Sequence, residues 1–564
     1  MNKLFFGDNL EVLRENIPPE SVDLIYLDPP FNSNAEYNVL FKSPQDKTSA
    51  QAGAFLDTWT WGEEANWAFR EVMTQGGGVA RYLDALRSAL GESDMMAYLV
   101  MMAVRLSALH AVLKPTGSLY LHCDPTASHY LKVLLDAIFG PEHFRNEIVW
   151  QRTNAHNTAN QFGRVHDIIL FYAKSRQTVW NNIYLPYSPE QMKRYKRAAD
   201  GRLYTCQDMT APRPDSNSGK FEWRGTMPST GRGWGYSLEQ LEDWWAEGRI
   251  AVKRDGTPRM DGLISYLDDM PGKPLQSIWT DIPRISNTSA ERIGYPTQKP
   301  VALLDRIIRA SSNEGGVVLD PFCGCGTTIE AAQRTKRQWI GIDIAIHAIK
   351  VIETRLQEHF PKEIKKQVEG IPRDFESAKK LAELNPYQFQ WWANYLFNPH
   401  AIREQKKGAD RGIDGELYFP NGPGRQWSRM LTSVKGGENV WPSMVRDFAR
   451  VLEREKAELG LFICLNKPTR EMSREANSVG FGDTVHGDIP KLQIVSIEDW
   501  FNGKLPMLPP LQHLPSAAFS TAKRRASAAQ HARPDPQQPE LPFVFTGGKP
   551  KKGSVMHFNP RMVG

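Results

Sequence analysis

An acidic residue, two prolines and an aromatic ring, Asp28, Pro29, Pro30 and Phe31, directly follow the apolar or aromatic run Leu24 to Leu27. Such a run reads as a buried strand, which puts the four residues at its carboxyl end, the edge where open α/β sheets bind ligands. Two prolines remove two backbone donors and stiffen the turn, leaving carbonyls free to accept. A carboxylate, free carbonyls and an aromatic face suit a planar amino group. The nitrogen of such a group delocalises its lone pair into the ring and attacks an electrophile only when acceptors hold its hydrogens and turn the lone pair out of the plane. Asp28 and the Pro29 carbonyl are acceptors of that kind. Phe31 offers a face on which a flat heterocycle stacks.

A second constellation lies near residue 320. The strand in GGVVLDPFCGCGTT ends at Asp320 and is followed by Phe322, Gly324, Gly326 and a helix from about Thr327. The glycines permit a tight turn and a close backbone approach, and the helix points its amino end at whatever is bound. The next strand, WIGIDI, ends at Asp343, placed to accept from ribose hydroxyls. Thr327 and Thr328 stand where a dinucleotide fingerprint continues to its third glycine, which counts against NAD. Gly7 and Asp8 close the opening strand, and YPTQKP, with Thr297 and Lys299, precedes another helical pattern.

These residues need a sheet to hold them. Strands are expected near Leu4, from Ser118 to Asp124, Asn146 to Arg152 and His166 to Lys174, alternating with helices as in a parallel α/β sheet. The stretch around Trp59 and Trp61 shows no period. Leu99, Met102, Leu106, Leu109 and Leu113 form one helical stripe in the most apolar run, which Arg105, Ser107 and His110 interrupt, so a core helix is expected and no membrane span. His122 and His166 sit in apolar strands and read as satisfied structural histidines. From 175 to 294 the periodicity fades and Trp and Arg accumulate. There Trp223, Arg224, Arg232, Trp234, Arg249 and Arg254 suit base stacking and phosphate contact, or equally a small core with arginines on its rim.

The chain has 564 residues, enough for about three domains, with 41% hydrophobic and 24% charged residues. Its five cysteines, Cys123, Cys206, Cys323, Cys325 and Cys464, form no zinc spacing, which with the lack of a signal peptide implies a reduced, cytoplasmic protein. The net charge of +5 conceals a tail of +6 from Ser516 onward, so the remainder binds polyanions only through local patches.

DPPF with DPFCGCGTT, YPTQKP and FGDN resembles the circularly permuted, β-class amino-methyltransferases of DNA, which modify adenine N6 or cytosine N4 with S-adenosyl-L-methionine. The resemblance covers residues 1 to about 365 and follows the family's order of catalytic motif, target-recognition region and cofactor motif. It implies a Rossmann-like sheet with a catalytic half at 1–174, an inserted target-recognition region at 175–294 and a cofactor-binding half at 295–365. Asp28, Pro29, Pro30 and Phe31 would be the catalytic motif, on a base flipped out of the helix. Phe322, Gly324 and Gly326 would form the cofactor loop; Asp343 would hold the cofactor ribose, Asp8 its adenine, and Asp320, Thr297 and Lys299 its methionine end. Tyr295 stands where many relatives have histidine. Aspartate at the head of DPPF favours adenine, with N4-cytosine as the alternative, and the implied setting is restriction-modification or phage defence. No metal is required for methyl transfer.

After a linker at 366–379, residues 380–505 resemble the Mrr-like branch of the PD-(D/E)xK nucleases, on GIDG with Asp414 and SVK with Lys435. Ser433 stands at the second acidic position, a poor magnesium ligand, so the site has lost charge unless Glu416 or a helix carboxylate compensates. A degenerate restriction-endonuclease-like fold is the favoured reading; a bifunctional methyltransferase-endonuclease, with Mg2+ only in that case, is the alternative. Residues 506–564 read as a disordered basic tail, in which QPELPF, Gln538 to Phe543, resembles peptides that dock on sliding clamps. The expected partner is double-stranded DNA; a restriction or defence protein, a second copy of the chain and a sliding clamp are further candidates.

Overall fold

The computed structural model describes residues 2–30, 35–42, 49–57, 60–154, 160–213, 217–286, 288–293, 295, 297–361, 368–397, 412–422, 427–437, 439–509 and 544–545. Phe31, the clamp-like peptide and most of the tail lie outside them. The chain divides into two compact units, Met1–Trp180 with Ser277–Pro539, and Asn181–Gln276 with Glu540–Gly564.

The first unit is built on a sheet of β1 (Lys3–Phe6), β2 (Val22–Leu27), β3 (Leu113–Cys123), β4 (Phe144–Gln151), β5 (His166–Ala173), β6 (Ile278–Trp279), β7 (Val317–Asp320), β8 (Gln338–Asp343) and β9 (Val368–Glu369). The spatial order is β6-β4-β5-β3-β2-β7-β8-β1-β9. All neighbours run parallel except β5, which is antiparallel to both β3 and β4. The sheet is therefore mixed rather than wholly parallel. A short connection, with no helix among its described residues, joins β4 to β5, as an antiparallel pair allows. In β2, Leu24, Ile25 and Leu27 are fully buried, as a central strand covered on both faces requires.

The cover comes from α1 (Asn9–Glu15), α2 (Glu63–Gln75), α3 (Gly77–Leu90), α4 (Asp94–Val112) and α5 (Ser128–Phe139). In α4, the one described helix apolar and long enough to cross a membrane, every residue from Met96 to Leu106 is buried, so it is core. The stretch around Trp61, which shows no period in sequence, leads directly into α2 and α3. In α2, Ala65, Ala68, Phe69 and Val72 fall at helical spacing and pack inward, with Glu63 and Glu64 in the first turn. After the inserted unit come α6 (Val301–Ser311), α7 (Thr327–Arg334) and α8 (Ile346–His359).

The described residues of the expected linker at 366–379, from Val368 on, are instead structured: β9 pairs with β1, and α9 (Phe375–Leu384) starts at a capping box on Asp374. A two-residue edge strand leaves no periodic trace in sequence. With α9 and α10 (Pro386–Phe397), a four-stranded sheet of β10 (Gly415–Pro420), β11 (Trp427–Lys435), β12 (Leu459–Cys464) and β13 (Leu492–Ser496) builds a second core in the same unit. The β10–β11 pair is antiparallel and the others parallel, and α11 (Pro442–Arg454) and α12 (Arg470–Asn477) pack on them.

In the second unit Trp223 and Trp234 are 2% and 1% exposed and make its small core, which removes both from base stacking. Arg224, Arg232 and Arg249 are ion-paired with Glu242, Asp208 and Asp269. The tail departs from expected disorder at Val544–Phe545, a short apolar strand paired with Asn182–Leu185.

Candidate active site

Strands β2 and β7 are adjacent and parallel, so Asp28 and Asp320, just past or at their carboxyl ends, open on the same edge. A cavity of about 370 Å³ lies there, lined by Asp8, Asp28, Pro29, Pro30, Thr297, Lys299, Asp320, Phe322, Gly324 and Asp343. Residues up to 335 positions apart in sequence are thus brought together. Gly326 lies just behind the lining, between Cys325 and Thr327.

Asp28 Oδ2 is ion-paired with Lys299 Nζ, and the buried Oδ1 has no hydrogen-bond partner. A carboxylate oxygen left unsatisfied in a cavity is an acceptor awaiting a donor. Lys299, expected at the methionine carboxylate of a cofactor, is held here by Asp28. Thr297 takes a left-handed backbone with φ 59°, a strained state for a β-branched residue and one that collects at functional sites.

Burial raises Asp320 to about 7, against the hydrogen bonds from Thr328 Oγ1 at 2.5 Å and Phe322 N–H at 3.0 Å, and Asp28 and Asp343 push it further up. Burial likewise raises Asp343 to about 6, although Gly324 N–H and Ala345 N–H each donate to it at 2.8 Å. Four carboxylates, Asp8, Asp28, Asp320 and Asp343, line the cavity against two cationic side chains, Lys299 and Arg105, so the ionised lining carries a negative surplus that favours a cation.

The glycine loop is braced from below. Gly324 and Gly326 have φ 47° and 76°, and Gly326 N–H donates to Cys323 O at 2.7 Å. Beneath them the buried pair Arg355 and Glu330 ties α8 to α7, and Arg355 also donates to the Cys325 carbonyl at 3.1 Å. Burial would raise Glu330, but the His359 hydrogen bond and the Arg355 and Arg334 charges outweigh it and hold it at about 2.

Asp8, expected at the cofactor adenine, lines the cavity but is committed to scaffolding: Oδ1 caps α1 at Leu10 N–H, 2.7 Å, and Oδ2 takes Arg105 Nη2 at 2.8 Å. Other lining residues, Asn9, Tyr26 and Arg105 among them, carry no mark in sequence. Arg105 also reaches Asn9 Oδ1 at 2.7 Å, and Asn9 donates to Pro321 O at 2.9 Å, joining the opening loop to the DPFCG loop. Tyr26 lines the cavity, and its hydroxyl meets His122 Nδ1 at 2.8 Å, while His122 Nε2 meets Asp167 at 3.1 Å. His122 is indeed a satisfied histidine, and it anchors a tyrosine of the site. Gln388 and Trp391, from α10, complete the lining.

Asp414, Ser433 and Lys435 gather on the second sheet. Asp414 is 7% exposed; Oδ2 accepts from Val434 N–H at 2.6 Å and Ser433 Oγ at 3.2 Å, and Oδ1 accepts from Gln390 Nε2. Lys435 Nζ is 3.8 Å from Oδ2. Glu416 does not compensate for Ser433, since it pairs with Arg429 at 2.9 Å. Among the described residues no group of three His, Cys, Asp or Glu side chains is placed to hold a metal.

Residues 22–354 match the sequence model of the N6_N4_Mtase family, described as DNA methylase. The Type II methyltransferase M.EcaI of Enterobacter cloacae is 34% identical over 261 residues, covering 46% of this chain and 57% of that protein. The Type III restriction-modification enzyme StyLTI Mod subunit of Salmonella typhimurium is 27% identical over 347 residues, 58% of this chain and 49% of the subunit. The DNA adenine methyltransferase YhdJ of Escherichia coli is 34% identical over 160 residues, 26% of this chain and 53% of its own length. The chain thus spans about half the length of these relatives. It belongs to the N6_N4 DNA methylase family.

Proposed function

We propose that the chain is a site-specific DNA methyltransferase that transfers a methyl group from S-adenosylmethionine to adenine N6 in double-stranded DNA, within a restriction-modification or defence system. The observation that carries this is Asp28 Oδ1, a buried acceptor without a partner at the end of β2, in one cavity with the Gly324 loop and Asp343. The cavity fits the cofactor by its chemistry: carboxylates for a sulfonium and an ammonium, Asp343 for ribose, and a loop whose glycines let a ligand approach the backbone. When bound, that group supplies a methyl carbon on a positively charged sulfur. Asp28 Oδ1 and the Pro29 carbonyl hold the two amino hydrogens and aim the nitrogen lone pair, and Oδ1 is the atom that receives the proton released as the nitrogen–carbon bond forms. Lys299 holds the other oxygen, Oδ2, in an ion pair and so fixes the orientation of the carboxylate. The motif order is that of a permuted sheet, and the Asn181–Gln276 unit is the target-recognition element. The mapping of modified bases in cells expressing the chain tests this: N6-methyladenine in one short sequence is expected, and N4-methylcytosine alone, or unmodified DNA, overturns it.

The raised carboxylates set a pH dependence. Asp320, at about 7, must lose its proton to meet a cation, and Asp343, at about 6, must lose its own to accept from both ribose hydroxyls, so S-adenosylmethionine affinity rises from pH 5.5 to 8 and levels off above. Each carboxylate contributes up to about tenfold per pH unit below its own value. Without ligand the sign for stability is opposite. The folded state holds these protons more tightly than an unfolded chain, where aspartate titrates at 3.8, so this stabilisation is full below 3.8 and fades as pH rises to about 7. Calorimetric titrations across that range check both; a flat affinity removes Asp320 and Asp343 from cofactor binding.

The second sheet is a degenerate restriction-endonuclease-like fold. With both Asp414 oxygens satisfied by protein donors and neither Ser433 nor Glu416 supplying charge, the full chain with magnesium leaves unmethylated plasmid uncut. Cleavage that disappears in Asp414→Ala reverses that reading and makes the chain bifunctional.

A further inference from the structure

Helix α10 carries three stripes with three destinations. Phe389, Trp392, Ala393 and Phe397 are buried in the core of the second sheet. Gln390 donates to Asp414 Oδ1, and Asn394 Nδ2 to the Asp414 carbonyl at 3.0 Å. The remaining stripe, Gln388, Trp391 and Tyr395 at i, i+3 and i+7, faces the methyltransferase sheet: the first two line the cavity, and Lys350 Nζ of α8 lies 4.7 Å from the Tyr395 ring centre. Gln388 is 8% exposed, and its Oε1 has no hydrogen-bond partner. A buried amide oxygen left this way carries an uncompensated desolvation cost, which a ligand donor returns. Because α8 begins just after Asp343, this stripe enters the cavity from the side that carries the ribose acceptor.

We propose that α10 completes the cofactor site: Gln388 Oε1 accepts from the amino group of the adenosyl base, and Trp391 packs against that base. The inference rests on the methyltransferase reading of the cavity. It makes the nuclease-like fold a structural part of the cofactor pocket, which explains why Gln388 and Trp391 come from a segment beyond every methyltransferase motif. It also places cofactor contacts and the Asp414 clamp on one rigid helix, so that ligand binding quiets both.

The test titrates S-adenosylhomocysteine into the full-length protein by calorimetry, with hydrogen exchange read over residues 386–397. Gln388→Leu keeps the side-chain volume and removes the acceptor; Trp391→Ala removes the half-buried ring. Each is expected to weaken binding about tenfold or more. Exchange in α10 slows on ligand addition in the wild type and does so less in Gln388→Leu. Should Gln388→Leu melt cooperatively at a much lower temperature without ligand, Trp391→Ala and the wild-type exchange decide alone. Variants that bind like the wild type, with α10 exchange unchanged by ligand, overturn the inference and leave the methyltransferase reading standing. A wild type that binds no S-adenosylhomocysteine overturns that reading first.

Discussion

Asp28→Ala lowers methyl transfer by about 10³-fold or more and changes S-adenosylhomocysteine affinity by less than about threefold. The asymmetry follows from geometry. Oδ1 faces the cavity without a partner, so its work is done on the incoming amino group, while Asp320, Asp343 and the glycine loop, which do not depend on it, hold the cofactor. Asp28→Asn separates position from charge. It retains an oxygen acceptor but weakens the ion pair with Lys299 and cannot take up the amino proton, so it should fall between alanine and wild type, about 10²-fold down. Single-turnover transfer to a cognate duplex gives the chemical step. If Asp28→Ala transfers at the wild-type rate, the amino group is held elsewhere and the proposed site is wrong.

The parts of this site that sequence made legible are those where a strand ends and turn chemistry begins. Asp28, Asp320 and Asp343 each follow an apolar run, and the burial of β2, β7 and β8 confirms the runs as central strands. Local chemistry of this kind survives in one dimension. What did not survive is partnership across distance: Arg105 is separated by 97 residues from the Asp8 it fixes, and nothing in a helical stripe of methionines and leucines marks one arginine as the buried brace of a loop. Tryptophan left two readings open, base stacking and a small core, for a related reason. Trp223 and Trp234 sit among arginines in sequence, but a small unit with few aliphatic residues needs its large rings inside, and the arginines pair with local carboxylates instead.

The same contrast separates the two acidic sites of the chain. Both show a strand-end aspartate with a lysine nearby in space, Asp28 with Lys299 and Asp414 with Lys435. In the first, one carboxylate oxygen is left open to a cavity. In the second, Val434, Ser433 and Gln390 occupy both oxygens. An aspartate that satisfies its own fold is a structural element, whatever motif it stands in.

Gly326→Ala removes cofactor binding more completely than Gly324→Ala, although Gly324 lies nearer the ligand. At Gly326 two costs combine. Its φ of 76° charges an L-residue about 1–2 kcal/mol, and an added Cβ would stand 2.7 Å from Ile352 Cγ1 and 3.3 Å from Cγ2, which overpacking translates into about 1–3 kcal/mol more. At Gly324, φ is 47° and the nearest neighbour of a Cβ is the Tyr295 ring at 3.4 Å, so the backbone term dominates. Relief at Gly326 comes by moving the loop off α8, which pulls Gly324 N–H from Asp343 and unseats the residue that faces ribose. Binding should weaken by about 30-fold or more, with a lower melting temperature. Ile352→Ala tests the division of costs. Made in the Gly326→Ala background, it removes the clash but not the backbone strain, so the double variant should be more stable than the sum of the single losses by about 1–3 kcal/mol. Strict additivity would place the whole penalty in the backbone and show that α8 yields to the loop.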